Sequence, residues 1–218
     1  MLSVDLGTEL APAISLAYEE AEEDILNRPP RNLETDRLMS YRLLSYSYLQ
    51  AGMIEAFFCF VAYFWVYCDN GLGMSELFYL APTYFDSSTS SNYTSISGRV
   101  YSVEEQILIL NTASTAWYVT CVMGQFFNIW MCKTRQQSIV THGWKNSMTN
   151  YGVLIEVAIL LIIVYIPEFQ NVFSTVDLDR KYWYPCLGSG FCLIAFNETR
   201  KYLTRKDPNG KVAKYLMW

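Results

Sequence analysis

The sequence predicts an all-α membrane protein of four transmembrane helices preceded by a partial transmembrane helix, on three observations. Of its 218 residues 52% are apolar and only 17% are charged, against roughly 25% charged in an average soluble domain. Four runs approach the roughly 20 apolar residues that a helix needs to cross a bilayer core of about 30 Å. The basic residues gather in alternate connections between those runs.

The first element is residues 1–20. Asp5 and Glu9 are four apart, which puts both carboxylates on one helix face, and Pro12 has no N–H to bond the carbonyl of Thr8. A bent partial helix with two acids and a freed carbonyl supplies oxygen ligands for a hard cation at membrane depth. The competing reading is a frayed leader with capping acids. A signal peptide is disfavoured, because neither a positive start nor an uninterrupted apolar stretch is present.

Residues 21–46 form a connector to the first full span, 47–68, whose single charge is Glu55. Residues 69–106 make a Ser/Thr-rich loop with an N-glycosylation triplet at Asn92-Tyr93-Thr94. The span 107–132 has no charge, and Gln125 and Asn128 are among its few polar side chains. After the loop 133–148 comes the span 149–167, which carries only Glu156 and stops at Pro167. A short loop, 168–181, leads to 182–203, where Tyr182-Trp183-Tyr184 reads as an interfacial aromatic belt and Asn197, Glu198, Arg200 and Lys201 shorten the apolar part. Residues 204–218 are the tail.

Thirteen of the sixteen Lys and Arg fall in the connector, in the loop 133–148 and in the stretch from 198 onward. The positive-inside rule therefore puts those segments, tail included, in the cytoplasm and the loop 69–106 outside. The tail cluster Arg200, Lys201, Arg205 and Lys206 reads as an anchor against anionic lipid. The aromatic stripe Phe57, Phe58, Phe60, Tyr63, Phe64 and Trp65 reads as lipid-facing and interfacial packing. A net charge of −5 offers no basic excess for phosphates, which argues against a nucleic-acid partner. The six cysteines sit in or beside apolar runs without paired spacing, and the single His142 has no second imidazole to share a zinc with.

The stretch VDLGTELAPAISLAYEEAEEDILNRPPRN, at residues 4–32, resembles the sixth transmembrane helix and following segment of the sodium/potassium-transporting P-type ATPase alpha-subunit family. The resemblance continues in order. Gly52-Met53-Ile54-Glu55-Ala56 with Asn70-Gly71 is similar to the seventh helix, and Cys132-Lys133-Thr134-Arg135 before Ser138 to the end of the eighth. Tyr151-Gly152 with Glu156 is similar to the ninth, and Glu198 with Arg200-Lys201 and Pro208 to the tenth.

The resemblance implies that Asp5 and Glu9 coordinate the transported Na+ and K+ at shared sites, and that Gln125, Asn128 and Glu156 supply oxygens to a sodium-only third site with fewer charges than the family has there. Four departures mark this chain: Glu9 replaces the family's usual Asp, Asn128 stands for an Asp, Ile155 for one of two adjacent acids, and Glu55 for a Gln. Glu55 is an additional membrane acid, which either compensates for Asn128, carries protons, or is a neutral carboxyl bonded to a neighbouring helix. The resemblance also implies a beta subunit docked on the loop 69–106, where Ile96-Ser97-Gly98-Arg99 occupies the family's docking position with only the Gly kept. Ser138 matches a serine in a kinase-site context. The family's paired C-terminal tyrosines are replaced here by Tyr215-Leu216-Met217-Trp218.

The expected function is thus the C-terminal transmembrane part of an ATP-driven sodium/potassium-exchanging pump in the plasma membrane, contacting lipid and the rest of the pump alpha subunit. Neither an Asp-Lys-Thr-Gly phosphorylation motif nor a nucleotide-binding loop occurs. Mg-ATP would be used by cytoplasmic domains outside this chain, which alone should hydrolyse nothing and bind no cofactor. A proton/potassium or other monovalent-cation pump is the first alternative. A catalytically inactive four-span scaffold is the second, and residues 1–20, without partner helices, are then expected at the interface or frayed.

Overall fold

The computed structural model describes residues 2–21, 25, 39–80, 84–86, 89–208, 210 and 216, without the side chains of 2–7 and 78–80. Arg28, Arg31 and Arg37 of the connector, Lys211 and Lys214 of the tail, and the Asp5 side chain lie outside the described residues.

Helix α1 covers Leu2–Ser15 with Pro12 inside it. It packs along α7 instead of fraying. Helix α2, Tyr41–Ser45, runs through a π-helical turn, Tyr46–Ala51, into α3, Gly52–Asp69. Together they make one apolar rod of 29 residues. After α4, Met74–Leu80, the chain forms an antiparallel hairpin of β1, Tyr93–Thr94, and β2, Val100–Tyr101. Helix α5, Val103–Cys132, then starts at a capping box in which Ser102 and Glu105 satisfy each other's backbone N–H. The short α6, Ile139–His142, precedes α7, Ser147–Tyr165. Pro167 cannot continue α7 and opens α8, Pro167–Phe173. Helix α9 is Tyr184–Lys206.

Among the described residues, three helical stretches are long and apolar enough to cross a membrane: Tyr41–Asp69, Val103–Cys132 and Ser147–Tyr165. Helix α9 is also long enough, but Glu198, Arg200, Lys201, Arg205 and Lys206 crowd its last turns. Helices α3, α5, α7 and α9 overlie the four apolar runs in order with ends that differ by a few residues, while the loop 69–106 contains order of its own in α4 and the hairpin.

Helix α5 is the centre of the bundle, packed by α3, α7, α9 and α1. Ala113, Ala116, Val119 and Val122 of α5 meet Ala62 and Val66 of α3 and Leu160 and Val164 of α7 in one continuous core. The small side chains allow close approach, which matters in lipid, where van der Waals contact rather than water exclusion drives helices together. The aromatic stripe divides: Phe57 and Phe60 are exposed on the outer face, whereas Tyr63 is half-buried with its ring tilted 49° against that of Tyr67.

The two ends of the bundle are tied differently. At the hairpin end Glu76 accepts from Ser95 Oγ and Tyr93 OH, and Tyr101 OH and Arg99 both donate to Asn70 O. At the basic end Lys201 and Arg200 are buried, at 0% and 2% exposure, which corrects their reading as a lipid-facing anchor. Their position on α9 turns them into the bundle. Lys201 Nζ donates to Met131 O and Thr134 Oγ1, closing the open C-terminus of α5, while Arg200 bonds Asn197 and covers the Tyr46 ring. Arg205 and Lys206 remain exposed.

Candidate cation site

The site begins with a glycine. A β-carbon at Gly152 of α7 would lie 3.1 Å from Ala11 O and from both N and Cα of Pro12, so the bare backbone of α7 lets the bend of α1 lie directly on it. Ser15 Oγ bonds Thr149 Oγ1, and Asn146, the N-cap of α7, donates to Ser15 O. Sequence reading missed Asn146, although an Asn directly before a helical run is a recognisable cap.

With α1 fixed there, a half-open cavity of about 180 Å³ remains between α1, α5 and α7, lined by Glu9 and Pro12, by Gln125 and Asn128, and by Glu156. Four of the five side chains expected to coordinate cations thus share one space. For the fifth, Asp5, the structure gives the helical backbone alone. Glu156 is 1% exposed and its Oε1 has no hydrogen-bond partner. A buried carboxylate oxygen without a donor is costly unless a proton or a cation meets it. Asn128 Oδ1 accepts only a long 3.6 Å contact from Cys132 Sγ, a weak thiol bond.

Glu55 of α3 stands one layer behind. Gln125 Nε2 donates to Glu55 Oε2 at 2.9 Å, and Glu55 Oε1 has no partner. Glu9 is within electrostatic reach of both Glu55 and Glu156. Asn92 is exposed just before β1, apart from the cavity. Ser138 caps α6 and donates to Glu198 Oε2 at 2.6 Å.

The donor set is carboxylate and amide oxygen, the chemistry of hard cations. Among the described residues no three His, Cys, Asp or Glu side chains gather at metal-ligand spacing.

Just beyond α1, Glu19 is hydrogen-bonded by Asn146 Nδ2 at 2.8 Å and His142 Nε2 at 3.0 Å and ion-paired with Lys133 Nζ at 3.2 Å. Burial alone would push this carboxyl up, but the two hydrogen bonds and the Lys133 charge outweigh it and hold Glu19 below its ordinary value of 4.5. A depressed folded-state value means the stabilisation is present above pH 4.5 and is lost as pH falls through the lower folded value. Glu19→Gln should therefore be less stable than the wild type at neutral pH, with the gap shrinking below pH 4.5. Thermal unfolding in detergent across pH 3–7 checks this, and a gap that does not change with pH would contradict it.

An apolar helical bundle with long membrane-length helices, its cavity lined by carboxylates and amides, belongs to the class of integral membrane proteins. Residues 1–203 match the family model described as cation transporting ATPase, C-terminus, and the chain belongs to that family. It is 33% identical over 210 residues to the sodium/potassium-transporting ATPase subunit alpha of Drosophila melanogaster, covering 96% of this chain and 20% of that protein. It is 34% identical over 212 residues to the alpha-B subunit of Artemia franciscana, covering 97% and 21%, and 35% identical over 214 residues to the alpha-2 subunit of Gallus gallus, covering 98% and 21%. The chain spans about a fifth of the length of these curated relatives.

Proposed function

We propose that this chain is the C-terminal membrane part of an ATP-driven pump that exchanges Na+ and K+ across the plasma membrane, with its tail in the cytoplasm. Glu9, Gln125, Asn128 and Glu156, joined by Asp5, supply oxygen ligands to the transported ions. ATP hydrolysis belongs to domains outside these residues. The hairpin tip, where Ile96 is 83% exposed, is the docking point for a partner subunit, and lipid covers the outer faces of α3 and α7.

The observation that carries this reading is the convergence of Glu9, Gln125, Asn128 and Glu156, from three helices, on one cavity. Pump action needs sites that load and release ions as helices shift, and a partial helix seated on a bare glycine is an element able to shift.

The test is equilibrium binding of radioactive Na+ and of Tl+, a K+ substitute, to the chain in lipid nanodiscs. Saturable binding is expected, weakened about tenfold, or about 1.4 kcal/mol, in Glu156→Gln. Saturable binding that Glu156→Gln leaves unchanged, or none at all, overturns the assignment.

A further inference from the structure

The cavity contains an amide whose orientation matters. Gln125 carries two donors on Nε2 and an acceptor at Oε1, and only the oxygen is a cation ligand. A glutamine left to itself would present either face. Here Nε2 is engaged by Glu55 Oε2 at 2.9 Å, and an ionised carboxylate accepts only. Nitrogen and oxygen diverge from the same carbon, so anchoring Nε2 against α3 directs Oε1 away from Glu55.

The packing around Glu55 is specific to this arrangement. A β-carbon on Gly124 would sit 3.2 Å from Glu55 Cγ and 3.6 Å from Ser189 Oγ of α9. The glycine leaves room for the Glu55 chain against α5, and a β-carbon there would push that chain aside by a few tenths of an ångström. Glu55 is 7% exposed, its Oε1 is unpartnered, and so is Ser189 Oγ. A carboxylate buried so incompletely paired is expensive as a structural strut. Its charge is worth more beside a cation, where interactions act through a low dielectric. On the cavity wall itself α5 contributes two amides, Gln125 and Asn128, and no charge.

We propose that Glu55 is the positioning residue of the cation cavity: it turns the Gln125 carboxamide so that its oxygen serves as ligand, and it supplies from α3 the negative charge that α5 lacks. The proposal rests on the cation reading above. A cation entering the cavity meets the Gln125 oxygen directly and the Glu55 charge through it.

Glu55→Gln tests this, because the replacement is nearly isosteric and keeps a hydrogen bond to position 125 while removing the charge and freeing the amide to invert. Expected are an unchanged unfolding temperature, about tenfold weaker Na+ and Tl+ binding in nanodiscs, and an altered ratio between the two ions. The exchanged pair Glu55→Gln with Gln125→Glu should restore binding, since the carboxylate then lines the cavity and the amide stands behind it. Binding by Glu55→Gln equal to the wild type, or no recovery in the exchanged pair, overturns the proposal. The side-chain resonance of 15N-labelled Gln125 gives a reading without added cation: one state in the wild type and two exchanging states in Glu55→Gln. A single state in both overturns the orienting role. Failure of this proposal alone leaves binding intact and still sensitive to Glu156→Gln, whereas absence of binding in the wild type overturns the cation reading itself.

Discussion

Gly152→Leu is expected to lift α1 from α7 and abolish cation binding. The contact it blocks is backbone to backbone: the added β-carbon would already meet Ala11 O, Pro12 N and Pro12 Cα at 3.1 Å, and none of these atoms can rotate aside as a side-chain end would. Gly152→Ala needs a shift of a few tenths of an ångström, whereas leucine needs the helix moved bodily. Overpacking typically costs about 1–3 kcal/mol, and an immovable backbone places this case at the upper end. Loss of the α1 seat carries Glu9 away from Gln125, Asn128 and Glu156. Thermal unfolding in detergent with parallel Tl+ binding checks both consequences. Leucine tolerated in both measurements would mean that α1 does not sit on Gly152.

Lys201→Ala should be the most damaging single change at the basic end. The ammonium is fully buried, donates to Met131 O and Thr134 Oγ1, and has Glu198 Oε1 3.8 Å away. Removing it leaves the last turn of α5 without its donor and Glu198 without its nearest cation. Hydrogen bonds to charged groups are worth about 1.5–3 kcal/mol each, so a loss of about 3 kcal/mol is expected. For a chain of this size that corresponds to a fall in unfolding temperature of roughly 6–12 °C. Arg205→Ala, on an exposed residue that reaches only Gln136 O, is the control and should change little. Equal effects of the two would return Lys201 to the role of surface anchor.

Helix positions were the most legible part of the sequence. The apolar runs at 47–68, 107–132, 149–167 and 182–203 correspond to α3, α5, α7 and α9 because length and hydropathy are local properties. Pro12 inside α1 and Pro167 at its helix boundary were equally readable, since a missing N–H acts wherever it occurs. The candidate ligands stood out as polar side chains in apolar surroundings, and the family resemblance singled them out for cations. Which of them face one another was not legible. The Glu55 to Gln125 bond joins residues 70 positions apart, and nothing in either span fixes its rotation about its own axis.

Charge near the bundle end was the least legible. Arg200, Lys201, Arg205 and Lys206 form one basic run in sequence, yet two of them are buried and two exposed, because α9 turns by 3.6 residues while it packs on α3 and α5. The Glu19 cluster went unseen because its partners Lys133, His142 and Asn146 lie in the loop 133–148, more than a hundred positions along the chain from Glu19.

By itself, then, the sequence determined an apolar, mostly helical protein and the order of its long helices, which follow from composition and near-neighbour chemistry. The tertiary structure decided that α1 docks, where the cavity opens and which side chains line it. These depend on how closely helices approach, and that distance is set by the absence of a β-carbon at Gly152 and Gly124, whose meaning exists only once the facing helix is in place.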